Sequence, residues 1–220
     1  MRAVPCKICT TETIVLQDLL FNHTYYACPA CEFIFLEAKN RVSPEAEKRR
    51  YLEHNNTAQN EGYVKMFRDF IDSALLPYQT RIKTALDFGC GPGPVLPILL
   101  EEKGWLVDRY DPYFFPEKIY RRRRYDLITA TEVFEHLSDP LKTASLLNEH
   151  LAPEGLLAIM TLFHPLDPEQ FLQWWYRRDC THISFFTPRT FHCLAEVLKM
   201  RVLQIEKNKI CVLEKRMRDE

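Results

Sequence analysis

Through residues 1–40, short apolar stretches such as Ile14-Val15-Leu16 and Phe33-Ile34-Phe35 alternate with turn-forming positions, which predicts two short hairpins. The spacing then becomes helical. Ser43-Pro44-Glu45 supplies a cap, a proline at the first helical position and an acid in the first turn, opening a charged helix that bridges to about Glu53. Beyond a polar stretch at 54–60, Tyr63, Val64, Phe67, Phe70, Ile71, Ala74 and Leu75 recur at helical spacing, and Pro77 is expected to end that helix.

From Thr84 the period alternates between two and 3.6. Thr84 to Phe88, Trp105 to Tyr110, Asp126 to Ala130 and Leu156 to Thr161 read as strands, separated by helical stretches that include Pro94 to Lys103 and Pro140 to Leu151. Such alternation implies a parallel sheet covered by helices. Thr187-Pro188 opens a last helix carrying Phe191, Leu194, Ala195 and Leu198; Val202 to Glu206 and Ile210 to Leu213 then form an antiparallel hairpin at the sheet's edge. The expected organisation is a module at 1–40, a helical linker and lid region at 41–78, and an α/β domain at 79–220.

The 220 residues, 46% hydrophobic, suffice for one such core and a small appendage. Twenty-nine basic against thirty acidic side chains give a net charge of -1, so no global field advertises nucleic acid or a membrane. No apolar run approaches the roughly 20 residues that span a bilayer, and Met1 to Leu20 carries charges unlike a signal peptide, so a cytoplasmic protein is expected. In a reducing compartment the eight cysteines read as metal ligands or packing residues. Cys6, Cys9, Cys28 and Cys31 form two C-x2-C pairs suited to a structural zinc ion with a filled coordination sphere; the alternative is free or packing thiols. Cys90, Cys180, Cys193 and Cys211 lack such pairing.

The most specific feature is Asp87-Phe88-Gly89-Cys90-Gly91-Pro92-Gly93, between a strand and a helix. Glycines at alternate positions let a backbone turn sharply and approach a ligand, although an ordinary tight turn is the plainer reading. This loop resembles the first signature of class I S-adenosylmethionine-dependent methyltransferases, and the similarity runs from about Thr84 to Phe191. Asp111 stands where that family's acid accepts hydrogen bonds from two ribose hydroxyls; otherwise it is a helix cap or surface acid. Thr131-Glu132-Val133-Phe134-Glu135-His136-Leu137 resembles the fourth strand's end and the E-H-L element of the small-molecule branch. Leu151-Ala152-Pro153-Glu154-Gly155 resembles the turn into the fifth strand, and His182 to Pro188 a late loop over the active site.

The resemblance implies a Rossmann-like methyltransferase sheet with helices on both faces and an S-adenosylmethionine site at Asp87, Gly89, Cys90, Gly91, Gly93, Asp111, Pro112, Tyr113, Thr131 and Glu132. Only fourteen residues separate Asp111 from Asp126, too few for the usual third strand. One strand fewer than usual is therefore expected, with Pro112, Tyr113 or Phe114 as an apolar adenine wall. His136 and His182 lead the candidates for a general base, with Glu135 and Tyr113 behind them and His164 third; structural roles in the backbone network are the alternative. Phe163, Trp174, Trp175, Tyr176, Phe185 and Phe186 are candidates for the acceptor side or for core packing. Zinc ribbons precede methyltransferase domains in deoxysugar C-methyltransferases and in a bacterial ribosomal-RNA guanine methyltransferase. Three functions follow: a small-molecule methyltransferase first, an RNA methyltransferase using the zinc module and the Arg121 to Arg124 cluster second, a non-catalytic binding protein third.

Overall fold

The structure, a computed structural model, describes residues 4–53 and 57–216; the start of the polar stretch at 54–60 and both chain ends lie outside them. Strands β1 (Ile14–Asp18), β2 (His23–Ala27) and β3 (Ile34–Leu36) run antiparallel in sequence order. In place of two separate hairpins there is one, β1–β2, with β3 added to its β2 edge. The first cysteine pair lies in a turn closed by the Pro5–Glu12 bridge.

Helices α1 (Pro44–Glu53) and α2 (Glu61–Phe70) follow. Pro77 does not end α2. The helix passes into a π turn, Ile71–Leu75, and a 3-10 helix, Leu76–Arg81, where Pro77 sits in the first turn and its missing N–H costs no bond. The chain continues through β4 (Thr84–Phe88), α3 (Val95–Glu101), β5 (Leu106–Tyr110), β6 (Tyr125–Thr131), α4 (Pro140–His150), β7 (Leu151–Met160), α5 (Pro168–Gln173), β8 (Ser184–Phe185), α6 (Pro188–Val197), β9 (Met200–Glu206) and β10 (Ile210–Lys215).

Six strands form the main sheet in the order β5-β4-β6-β7-β10-β9, with β10 antiparallel to both neighbours. Its two faces follow from the period of two. Ile128, Leu157, Ile159, Cys211 and Leu213 point to one face, where Ala144 and Leu147 of α4 and Phe191 and Leu194 of α6 cover them. Their neighbours Leu127, Leu156, Ala158, Ile210 and Val212 point to the other, against Phe67 and Phe70 of α2 and Leu96, Leu99 and Leu100 of α3. Between β5 and β6 the chain makes a turn bridged from Asp111 to Phe115 and a short 3-10 helix, Ile119–Arg122. Fourteen residues hold no further strand, so β5 is the edge and the sheet lacks the family's usual third strand, as expected.

β8 joins the N-terminal sheet, pairing Ile34 with Phe185 and Phe35 with Ser184. Cys6, Cys28, Cys31 and Phe33 are buried in the same apolar cluster as Phe134, Phe186 and Phe191. The module is thus packed into the α/β core. A buried ion pair, Arg177 with Asp18 at 2.6 Å, ties β1 to the chain after α5. Among the described residues no helix is long and apolar enough to cross a membrane.

Candidate active site

Strand order reverses at β4: the chain passes from β4 to β5 on one side and to β6 on the other, leaving a crevice beyond the strands' carboxyl ends. A cavity of about 460 Å³ occupies it. Asp87, Gly89, Cys90, Gly91, Gly93, Asp111, Pro112, Tyr113, Thr131 and Glu132 all line this one cleft.

The glycine loop takes its shape from backbone geometry. Gly89 and Gly91 have φ of +86° and +65°, the left-handed region that side chains disfavour. The N–H groups of Gly89 and Cys90 both donate to the Tyr110 carbonyl, at 2.7 and 3.2 Å, fastening the loop to the end of β5. Asp111 completes the arrangement. Its Oδ2 accepts from Gly91 N–H at 3.1 Å, and its Oδ1 from the N–H groups of Tyr113 and Phe114 at 2.8 and 3.1 Å. The carboxylate therefore organises both loops while remaining at the cleft wall.

Asp87 is almost wholly buried, with Thr129 Oγ1 donating to its Oδ1 at 2.8 Å. Burial pushes its carboxyl up to about 7. A proton or a cationic ligand relieves that cost.

Pro112, Tyr113 and Phe114 stand beside the loop in the position expected of an apolar wall. Across from them, α1 and α2 form a cover that the sequence reading treated only as a bridge and lid. Both oxygens of Glu47 accept phenolic hydroxyls, Tyr51 at 2.6 Å and Tyr113 at 2.7 Å, which links α1 to the loop after β5. Arg50 pairs with Asp179 at 2.8 Å and holds α1 down on its other side. Tyr51, Tyr63, Met66 and Phe67 line the cleft and were not singled out from sequence. For α2 the signal was present in the apolar stripe at Tyr63 and Phe67; for α1 no periodicity marks Glu47 or Tyr51.

His136 and His182 meet at the cleft's inner end, ring centroids 4.8 Å apart. His136 Nδ1 donates to the Thr181 carbonyl at 3.0 Å and His182 Nδ1 to that of Tyr176 at 2.7 Å, so each neutral ring carries its lone pair on Nε2. Burial lowers the His136 pKa and keeps that ring neutral near pH 7.

Glu135 is not a lining group. It is fully buried behind the wall, with Oε1 accepting from the Tyr176 hydroxyl at 2.5 Å, although a carboxylate oxygen lies within 4.8 Å of the histidine nitrogens. His164 is removed from the cleft, its ring held between the Pro165 and Glu32 carbonyls. The expected acceptor-side aromatics are displaced as well. Phe163, Tyr176, Phe185 and Phe186 are buried in packing clusters, Trp174 packs beside them and Trp175 is exposed, because burying large rings is where their free energy is gained.

The four cysteines of the N-terminal pairs converge. Sγ separations are 3.6 Å for Cys6–Cys31, 3.4 Å for Cys9–Cys28 and 3.6 Å for Cys9–Cys31, and all four sulfurs lie within 4.8 Å of one another. These are far longer than a disulfide and close to the edge, about 3.8 Å, of a tetrahedron with 2.3 Å metal–sulfur bonds. The N–H groups of Ile8 and Cys31 donate to the sulfurs of Cys6 and Cys28. Of the remaining cysteines, Cys90 lines the cleft, Cys211 is in the core, Cys193 is half-buried and Cys180 is exposed.

Two of the four arginines in the run at 121–124 are tied to the fold. Arg123 pairs with Asp108 at 3.1 Å and Arg124 donates to the Glu149 and Leu151 carbonyls.

A sheet with parallel crossovers, a glycine loop and a strand-end acid at the switch point defines a Rossmann-like α/β fold with its cleft at the strands' carboxyl ends. The profile of the family described as Methyltransferase domain matches residues 52–204, and the chain belongs to that family. Solved structures share the fold. An O-methyltransferase family protein from Burkholderia thailandensis superposes with a TM-score of 0.58 at 12% identity, over 79% of this chain and 64% of that one. The magnesium protoporphyrin IX methyltransferase from Synechocystis, with bound S-adenosylhomocysteine, gives 0.53 at 12% identity, over 80% and 89%. A plantazolicin methyltransferase in complex with a triazolic desmethyl analogue and S-adenosylhomocysteine gives 0.51 at 13% identity, over 78% and 92%. At these identities the likeness is one of fold. No curated protein matches the chain by sequence.

Proposed function

We propose that the protein transfers the methyl group of S-adenosylmethionine to a small-molecule acceptor. The observation that carries this reading is the convergence in one cleft of the glycine loop, Asp87, Asp111 and Glu132 from three strand ends, opposite two histidines. When bound, S-adenosylmethionine supplies an activated methyl on a sulfonium. Asp111 accepts the ribose hydroxyls with the acceptor capacity its three backbone bonds leave over, while Pro112, Tyr113 and Phe114 flank adenine. Asp87 and Glu132 complement the cation. An acceptor atom held beside His136 and His182 would be positioned for transfer, and that positioning would carry most of the rate gain. His136 Nε2, or that of His182, takes the proton that a hydroxyl acceptor releases. Glu135 acts only through Tyr176, as a positioning residue.

The four cysteines hold a structural zinc ion; their spacing fits a closed tetrahedral site with no position for water. The ion fixes the turn that carries Lys7, whose ammonium donates to the Ser138 carbonyl at 2.8 Å, beside the cleft.

Calorimetric titration of S-adenosylmethionine into wild type, Asp111→Asn and Gly91→Val tests the cofactor site. Binding to wild type that falls at least tenfold in both folded variants is expected. Folded wild type that does not bind refutes the reading.

A further inference from the structure

A second cavity, about 380 Å³, adjoins the cleft and shares Glu47, His136 and Leu137 with it. It lies between the start of the linker and the α/β core, lined also by Arg41, Ser138, Asp139, Lys142 and Thr181. Its formal charges cancel, Glu47 and Asp139 against Arg41 and Lys142, but its hydrogen-bonding capacity is not evenly used. Both anions are already engaged: each oxygen of Glu47 accepts a tyrosine hydroxyl, and Asp139 caps α4 by accepting from Lys142 N–H at 3.0 Å. Arg41, by contrast, is half-buried, and its Nε is fully buried with no hydrogen-bond partner. An unmet guanidinium N–H away from water is costly and calls for a partner, whether a water, an ion or a ligand. Lys142 brings a second cation to the same wall.

From this geometry we propose that the cavity is the anion subsite of the methyl acceptor: the acceptor carries a carboxylate or phosphate that Arg41 and Lys142 bind, while the rest of the molecule passes His136 into the cleft. The inference rests on the methyltransferase reading of that cleft. A planar guanidinium donates two parallel N–H bonds to either oxyanion, so the shared chemistry is two coplanar anionic oxygens. The shared wall gives the reason for the arrangement. An acceptor anchored by its charge at Arg41 presents a neighbouring nucleophilic atom to the histidines, and that fixed geometry is what in-line transfer requires.

The arginine Nε–H resonance of Arg41, assigned by its absence in Arg41→Gln, reports on the site directly. Protein saturated with S-adenosylhomocysteine is titrated with inorganic phosphate and, separately, with acetate, using sodium chloride at matched ionic strength as the control. A saturable shift of the Arg41 signal is expected with at least one oxyanion and not with chloride, while Arg50, already paired with Asp179, stays in place. The oxyanion with the lower dissociation constant identifies the phosphate or carboxylate source. Lys142→Gln, a change at an exposed position, is expected to weaken the preferred ion about threefold to tenfold. Arg41→Gln should retain S-adenosylhomocysteine binding and lose the oxyanion response, followed by thermal stabilisation, by tenfold or more. If S-adenosylhomocysteine binds but neither oxyanion shifts Arg41 beyond the chloride control, or if the shift is the same in Lys142→Gln, the subsite is wrong and the cofactor reading stands. If S-adenosylhomocysteine itself does not bind, the cofactor reading fails, while the oxyanion titration of the unliganded protein still judges Arg41.

Discussion

Gly89 and Gly91 have similar backbone conformations but different surroundings, which separates two costs that are usually confounded. A Cβ at Gly89 would lie 2.3 Å from Val133 Cγ2, whereas one at Gly91 meets nothing within 4 Å. Both alanine variants incur about 1–2 kcal/mol for a side chain in the left-handed region. Gly89→Ala adds the overlap with Val133, a β-branched side chain with one preferred rotamer and apolar contacts of its own, which is worth about 1–3 kcal/mol. Urea unfolding followed by circular dichroism should therefore place Gly89→Ala roughly 2–5 kcal/mol below wild type and Gly91→Ala only about 1–2 kcal/mol below it. In a Val133→Ala background the clash is gone, so the Gly89→Ala penalty should shrink to that of Gly91→Ala, a coupling of about 1–3 kcal/mol. Strict additivity of the Gly89 and Val133 changes would refute the steric account.

Asp87 gives a pH signature. Because burial raises its carboxyl to about 7, the folded chain holds a proton from about pH 4 to pH 7 that the unfolded chain releases, so this group's contribution to stability declines as pH rises through that window. A bound cation reverses the balance: S-adenosylmethionine should displace about 0.9 proton at pH 6, about half at pH 7 and almost none at pH 8.5. Calorimetry in two buffers of different ionisation enthalpy measures this, and a buffer-independent binding enthalpy at pH 6 would exclude it. Elemental analysis should find stoichiometric zinc that Cys28→Ser loses, and chelation should raise amide exchange at 182–187, since Leu36 N–H donates to the Ile183 carbonyl and β3 pairs with β8. Unchanged protection of that segment after metal removal would sever the module from the active-site loop.

The α/β half was legible because burial on both faces writes short continuous apolar runs into β6, β7 and β10, and because left-handed backbone favours glycine at 89 and 91. The missing strand was legible from chain length alone. What escaped were elements whose reasons lie in tertiary contacts. β8 is two residues long, too short for any period, and exists because β3 offers an open edge. Helix α1 buries no residue completely, and its docking depends on Glu47 meeting two tyrosines and Arg50 meeting Asp179 across long stretches of sequence. The aromatics after α5 stayed open between two roles for the opposite reason: a cluster of large rings near a cleft looks the same in sequence whether it faces ligand or core.

These differences divide the cleft by origin. Its cofactor side is made of strand ends and the loops they launch, all positioned by the sheet. Its acceptor side is built from α1, residues 134–138 and residues 181–183, none of which belongs to the main sheet, and hydrogen bonds from the cysteine module run into this wall. Lys7, between the first two cysteines, holds the Ser138 carbonyl; β3 holds Ile183, whose own N–H holds the Glu135 carbonyl; and Ser184 Oγ donates to the Leu137 carbonyl. Each link is a short bond to backbone, so moving the module by a fraction of an ångström moves His136 and the Arg41 cavity with it, while leaving Asp87 and Asp111 in place. Under the proposed function, the module would therefore shape the acceptor side through geometry, apart from the residues that would hold the methyl donor.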